Sequence, residues 1–208
     1  MDTMQQVRDR YLEHLARFKA AGYDRAAAVR FVVDQLEHVR GPVLDVGSGQ
    51  GVMASELARR GVGVVTIDVN AEEQRLGAVN AEYEGVADRI VFLPVDARTL
   101  PFPDGTFRTV DTLDAIHHLT DGPAVFSEMR RVLRPGGRVL LAELTAEGLA
   151  LVGRMHEAEG RGVHPVGDVT IDAAIAWFES NGFRLAARRE GHLHIVAVLE
   201  KPETGGRA

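Results

Sequence analysis

Three glycines and two aspartates bracket a strand-to-helix junction in a way that suggests ligand chemistry. In VLDVGSGQGVMASELA, residues 43–58, Gly47, Gly49 and Gly51 stand at alternate positions, with Asp45 just before them. VLDV reads as a buried strand, and the residues after the turn open a helical pattern with Val52, Leu57 and Ala58 on its apolar side. Glycine accepts positive φ and has no Cβ to hold a ligand off the backbone. A helix start adds unpaired N–H groups. The turn therefore predicts close approach of a polar ligand. A dinucleotide fingerprint would read G-x-G-x-x-G, whereas here the third glycine arrives one residue early. Asp45 would repel a pyrophosphate and suit a cationic ligand. Asp68 ends the next apolar run, where an acid can accept both hydroxyls of a ribose. The plainer reading makes the glycines a tight turn and Asp68 a helix cap.

Histidines supply the other candidate chemistry. His117 and His118 follow TVDTLDAI (109–116). A neutral imidazole there could act as a general base toward a hydroxyl or thiol, and His117 is the better placed, with His118 read as packing. RMHEAEGRGVHPVGD (154–168) adds His156 and His164 as catalytic candidates beside Glu157 and Glu159. Its spacing is not H-E-x-x-H, so no metal site is predicted, and a solvated polar loop is the competing reading. His192 and His194 alternate on a late strand and read as surface or core-edge residues.

The elements that must position these groups alternate. Before them, residues 1–40 read as a helical cap. Tyr11, Leu12, Leu15 and Phe18 recur at helical spacing, Gly22 interrupts, and Asp24 caps a second helix with Ala28, Val29, Val32, Val33 and Leu36 inward. Then strands at 43–46, 62–69, 89–95, 109–116 and 137–144 alternate with helices at 51–60, 71–83 and 121–133. Such alternation of apolar strands with helices implies a parallel sheet buried on both faces, with right-handed crossovers. Residues 145–169 show no clear period, with a helix in part of the stretch as one reading. A helix at 170–181 with Ile171, Ala174, Ile175 and Phe178 inward follows, and FRLAARREG and HLHIVAVLEKP then read as an antiparallel pair joined near Gly191.

Composition narrows the classes. The chain has 208 residues, 45% hydrophobic and 26% charged, which suits a single globular domain. It has no cysteine, which excludes disulfides, thiolate nucleophiles and zinc–thiolate sites and fits a reducing cytosol. A net charge of −6 argues against a nucleic-acid surface and favours a small-molecule partner. No apolar run approaches a membrane span. The N-terminal MDTMQQVRDRYLEHL lacks the apolar core of a signal peptide, so a cytoplasmic protein is expected. Exposed N-terminal helices could support a homodimer.

Over residues 40–145 the sequence resembles the class I S-adenosylmethionine-dependent methyltransferases, specifically the small-domain group called type 11. VLDVGSGQG, VVTIDVN, VFLPVDARTLPFPDGTF, DAIHHL and EMRRVLRPGGRVLLAEL match that family's successive motifs in order. The resemblance implies an α/β, Rossmann-like fold: a seven-stranded, mostly parallel sheet with a C-terminal antiparallel strand pair, helices on both faces and an N-terminal helical cap. It implies one methyltransferase domain over 1–208, with a cap (1–40), a cofactor-binding core (41–144), a substrate-roof loop (145–169) and a C-terminal helix and strand pair (170–201). The implied cofactor is S-adenosylmethionine. It would be held by Asp45, Gly47, Ser48, Gly49 and Gly51 at the turn, Asp68 and Val69 at the ribose, Asp96 and Ala97 at the adenine, and the Leu113 carbonyl at the methionine ammonium. The implied activity is in-line methyl transfer to a small acceptor. Its rivals are a nicotinamide-dependent oxidoreductase and a non-catalytic cofactor-binding protein. Two departures stand out: Arg108 replaces an expected acid, and Asp111 sits in a strand where an apolar residue is usual, a costly burial unless paired.

Overall fold

The computed structural model describes residues 3–160, 162 and 167–203. Its centre is a seven-stranded sheet. The first strands are β1 (Val43–Val46), β2 (Val64–Asp68), β3 (Ile90–Pro94), β4 (Phe107–Leu113) and β5 (Leu133–Leu144). With β6 (Arg184–Gly191) and β7 (His194–Glu200) they stand in the order β3-β2-β1-β4-β5-β7-β6. All neighbours from β3 to β5 pair in parallel, and β7 alone runs antiparallel, between β5 and β6. Strand order reverses between β2 and β4 around β1. Ligand crevices form at such a switch point, beyond the strands' carboxyl ends.

Two apolar layers cover the sheet. On one face α2 (Arg25–Asp34) and α3 (Val52–Arg59) bury Val29, Val32, Val33, Met53 and Leu57 against Val43, Val64 and Leu140. On the other, α5 (Gly122–Val132) and α7 (Ile171–Ser180) bury Phe126, Met129, Ile175 and Phe178 against Leu44, Val110 and Leu141. The alternation along each strand divides it between the two layers. Helix α4 (Ala71–Tyr83) links β2 to β3, with Asn70 as its N-cap. The cap begins with α1 (Met4–Ala20), whose Thr3 and Gln6 form a capping box. Asp24 caps α2 through the Ala27 N–H at 3.1 Å, as its position predicts.

Several sequence expectations need correction. The stretch 145–169 is not simply a roof loop, because Ala146–Ala158 forms helix α6, capped by Thr145. Its apolar positions pack on α1, the cap loop and the end of β5: Val152 and Leu149 join Phe18, Tyr23 and Leu144 in a separate cluster. Leu12 is exposed rather than inward. The fourth strand begins at Phe107 and ends at Leu113, and Ile116–His118 is a 3-10 turn. His194 is fully buried, not at an edge, because β7 lies inside the sheet. His192 is not on that strand face either. It turns the chain at φ 51°, followed by Leu193 at φ 64°.

The LPFPDGTF phrase owes its role to α5. Arg131 donates to the Leu100 and Phe102 carbonyls at 2.9 and 2.7 Å and to Asp104 at 2.9 Å. Glu128, which also pairs with Arg131, accepts from the Leu100 N–H at 2.7 Å. Two helix side chains thus fold the whole connection between β3 and β4 onto the domain. Arg131→Ala is expected to cost about 2 kcal/mol by leaving several acceptors without a charged donor. Arg75→Ala, which removes an exposed pair with Glu72, should leave the denaturation midpoint essentially unchanged. Chemical denaturation of both variants checks the contrast.

Candidate functional site

The glycine turn after β1 is held from behind. Gly47 and Ser48 donate their N–H groups to the Ile67 carbonyl at 2.9 and 3.1 Å. Gly49 N–H donates to Asp68 Oδ2 at 2.8 Å, and Gly51 N–H to the Ser48 carbonyl at 2.9 Å. These four donors are therefore satisfied within the protein and none remains for a pyrophosphate. The three glycines have φ of +75°, +49° and +71°. A Cβ on Gly47 would lie 2.5 Å from the Ala115 Cβ, so that glycine lets β1 and the end of β4 approach. Gly49 faces open space. Gly51 has a different reason to be glycine: a Cβ there would meet Phe92 at 2.9 Å, and the residue does not line the cavity.

Over this turn opens a cavity of about 610 Å3, a volume suited to a nucleoside-sized ligand. Asp45, Gly47, Ser48, Gly49, Asp68, Val69, Asp96, Ala97 and Leu113 all line it. Asp68 is fixed by two backbone donors, one on each oxygen: Gly49 N–H, and Asn70 N–H at 2.9 Å. Each oxygen keeps a lone pair for a ligand hydroxyl. Asp96 is exposed and chelated by Arg98, whose Nη2 lies 2.6 Å from Oδ2. The Arg98 side chain, helped by its backbone N–H, holds this carboxyl down at about 2.

Asp45 is not at the cavity mouth as a free anion. It lies buried beneath the turn, where Oδ2 accepts the Thr66 hydroxyl at 2.8 Å. Its parallel register partner on β4 is Asp111, itself fully buried. So the unusual acid of the fourth strand lies beside an acid of the adjacent strand. Burial raises Asp45 to about 6 against the lowering effect of its hydrogen bonds to Thr66 and Asp111. Burial, then the Asp45 charge, raises Asp111 well above the usual carboxylate range. Two buried acids in register favour holding one proton between them over ionising together.

The histidines are not where their spacing suggested. His117 points inward, its Nδ1 2.7 Å from Glu143 Oε1, and does not line the cavity. His118, read from sequence as packing, does line it. His156 sits on α6 with its ring centroid 6.3 Å from that of Phe18, also away from the cavity. His164 lies outside the described residues. Two cavity residues escaped the sequence reading altogether. Arg25, at the start of α2, lines the cavity, and its guanidinium makes no hydrogen bond or ion pair among the described residues. Asp114, at the exit of β4, lines it too, at φ 54°. Arg25 carried no sequence signal beyond following an N-cap. Asp114 stood in plain view inside DAIHHL.

Comparison with known proteins agrees with this geometry. Residues 44–141, just under half the chain, match the family model described as "Methyltransferase domain". Methyltransferase GfsG of Streptomyces halstedii is 37% identical over 107 residues, 51% of this chain and 38% of that protein. The ubiquinone/menaquinone biosynthesis C-methyltransferase UbiE of Hahella chejuensis is 34% identical over 133 residues, 62% of this chain and 53% of that protein. The chain thus spans well under two thirds of these relatives' length. A SAM-dependent methyltransferase from Aquifex aeolicus shares the fold with a TM-score of 0.66 at 17% identity, covering 96% of this chain and 99% of that one.

The paired acids give the fold a pH dependence. Their folded values are raised, so their contribution to stability is complete below the unfolded aspartate range, near about 4. It is lost as pH rises toward and through the folded values, because the unfolded chain ionises first. Asp111→Asn keeps a donor toward Asp45 without a titrating proton. The variant is expected to lose less melting temperature than the wild type between pH 4.5 and pH 8, by at least about 2 °C. Equal losses in calorimetric scans of the two proteins would exclude the pair as the source.

Proposed function

From a methyltransferase domain over residues 44–141 and the cavity above its glycine turn, we propose that the chain binds S-adenosylmethionine and methylates a small acceptor. One observation carries the reading. The turn ties the Gly47, Ser48, Gly49 and Gly51 N–H groups to the protein and presents the Asp68 carboxylate, anchored by Gly49 and Asn70, to the cavity. That combination suits a ribose with its hydroxyls free and withholds the glycine N–H groups from a pyrophosphate, which disfavours a nicotinamide dinucleotide. Bound there, the cofactor supplies a methyl group on a sulfonium, the electrophile of the reaction.

The chain's own residues bind and orient. Asp68 accepts the ribose hydroxyls. Asp96 and Ala97 border the adenine, with Arg98 shielding the Asp96 charge. Gly47 and Gly49 keep side chains away from the amino-acid end, and Leu113 offers its carbonyl to the ammonium. Arg25, whose guanidinium lies on the cavity wall without a hydrogen bond or ion pair among the described residues, takes the carboxylate. Of the histidines, His118 is the one that lines the cavity among the described residues. The wall formed by α2, β4 and the turn after it borders the place where an acceptor would meet the reacting methyl, so its residues orient that acceptor.

The acidic, cysteine-free composition supports a cytoplasmic enzyme and a small acceptor rather than nucleic acid. No helix among the described residues is long and apolar enough to cross a membrane. Met4 and Leu12 remain exposed on α1, and we assign them to a homodimer contact.

Calorimetric titration with S-adenosylmethionine, S-adenosylhomocysteine and NAD tests the reading. Both adenosyl ligands are expected to bind and NAD not. Asp68→Ala should weaken both by about 10–100-fold, the loss of charged hydrogen bonds. Arg25→Ala should weaken both by about ten-fold yet leave 5′-methylthioadenosine, which has no carboxylate, unchanged. Binding of NAD alone would sink the proposal.

A further inference from the structure

Asp114 is the least explained residue of the cavity. It is a non-glycine residue at φ 54°, a conformation that aspartate tolerates at some cost. Two segments distant in sequence flank its carboxylate. His194, the first residue of β7, contacts Oδ1 through Nε2 at 3.0 Å, while its Nδ1 lies 2.9 Å from the His192 carbonyl. Tyr23, in the loop between α1 and α2, is buried beside the same carboxylate; burial and that charge raise its phenol, and its ring lies 5.8 Å from that of His194. Both partners are almost completely buried, whereas the Asp114 side chain keeps 16% of its surface. The open part faces the cavity.

The ionic state follows from the packing. Burial alone would push Asp114 up and His194 down. The attraction between them more than offsets this, lowering the acid and raising the imidazole. Arg25 and His117 act in the same direction on Asp114. The acid is therefore a carboxylate, fixed in place and offering an acceptor oxygen to whatever fills the cavity. A pair that served stability alone would pack better as apolar residues of similar volume.

Topology locates that oxygen. Asp68 ends β2 on one side of the glycine turn, and Asp114 follows β4 on the other, next to the Ala115 that touches Gly47. A ligand whose ribose lies at Asp68 and whose chain crosses the turn brings its far, reacting end toward Asp114. We propose that Asp114 is the acceptor-binding residue: its carboxylate hydrogen-bonds an O–H or N–H group of the molecule to be methylated. Tyr23 and His194 are the positioning residues that hold it. The site thus selects hydroxyl or amine acceptors over carboxylates, which Asp114 repels. This rests on the cofactor reading above.

Sinefungin tests it without knowledge of the acceptor. This cofactor analogue carries an amine-bearing carbon in place of the methylated sulfonium, so its amine projects where the methyl and acceptor meet. In the wild type, sinefungin is expected to bind at least ten-fold more tightly than S-adenosylhomocysteine by calorimetry. Asp114→Asn, which keeps the shape and tolerates the same backbone, should abolish that advantage while S-adenosylhomocysteine affinity stays within two-fold. Tyr23→Phe should reduce the advantage about three-fold, with the carboxylate present but less well held. No sinefungin advantage in the wild type, an advantage that survives Asp114→Asn, or equal weakening of both ligands in that variant would each overturn the inference. Failure of the wild type to bind S-adenosylhomocysteine would instead remove the cofactor reading, and the inference with it, before any variant is compared.

Discussion

Gly47, Ser48 and Gly49 all donate backward, two to the Ile67 carbonyl and one to the Asp68 carboxylate. These bonds tie the exit of β1 to the exit of β2, and most of the site depends on them. They force the turn into positive φ, which only glycine adopts freely. They bring Gly47 against Ala115, so β1 and β4 close without a side chain between them. They orient Asp68 into the cavity, and they set where α3 begins. The pocket is therefore a consequence of how two parallel strands end, more than of any single ligand-binding residue.

Behind and beside that turn the protein buries more charge than a core of this size ordinarily tolerates. Asp45 and Asp111 share a proton within the layer under α2 and α3. Glu143 meets His117, and Asp114 meets His194 and Tyr23. Every one of these groups lies in, or just beyond, the carboxyl-end half of the central strands. The opposite layer, under α5 and α7, is apolar and aromatic, with Phe126, Trp177, Phe178 and Phe183 stacked edge to face or tilted. The uneven division means that packing holds the domain together on one side while polar contacts shape the site on the other.

The terminal segments complete the site from both ends of the chain. Inserting β7 antiparallel between β5 and β6 places His194 opposite Leu144, within reach of β4's exit. The cap contributes Tyr23 and Arg25 on either side of the Asp24 N-cap. It is clamped to α6 by Glu159, which meets both His14 and Arg17 at 3.1 Å. Neither terminal region belongs to the stretch that matches the family, yet the cap places Arg25 on the cavity wall and β7 holds Asp114 through His194.

The sequence by itself determined the sheet, its parallel core and the cavity floor, because those rest on local signals. Glycine turns, strand-end acids and apolar alternation are read over a few neighbouring residues. LPFPDGTF and EMRR are read as separate motifs, and the structure joins them through Arg131. Tertiary structure decided the rest. The histidine facing the cavity is His118, since the 3-10 turn after Leu113 rotates His117 inward toward Glu143. Gly51 is glycine for the sake of Phe92, far along the chain. The acid in the fourth strand finds its partner in Asp45 only through parallel register. Asp114, Tyr23, Arg25 and His194 share no pattern in the chain. Their meeting depends on strand order and on the closure of the cap, long-range pairings that no local period encodes.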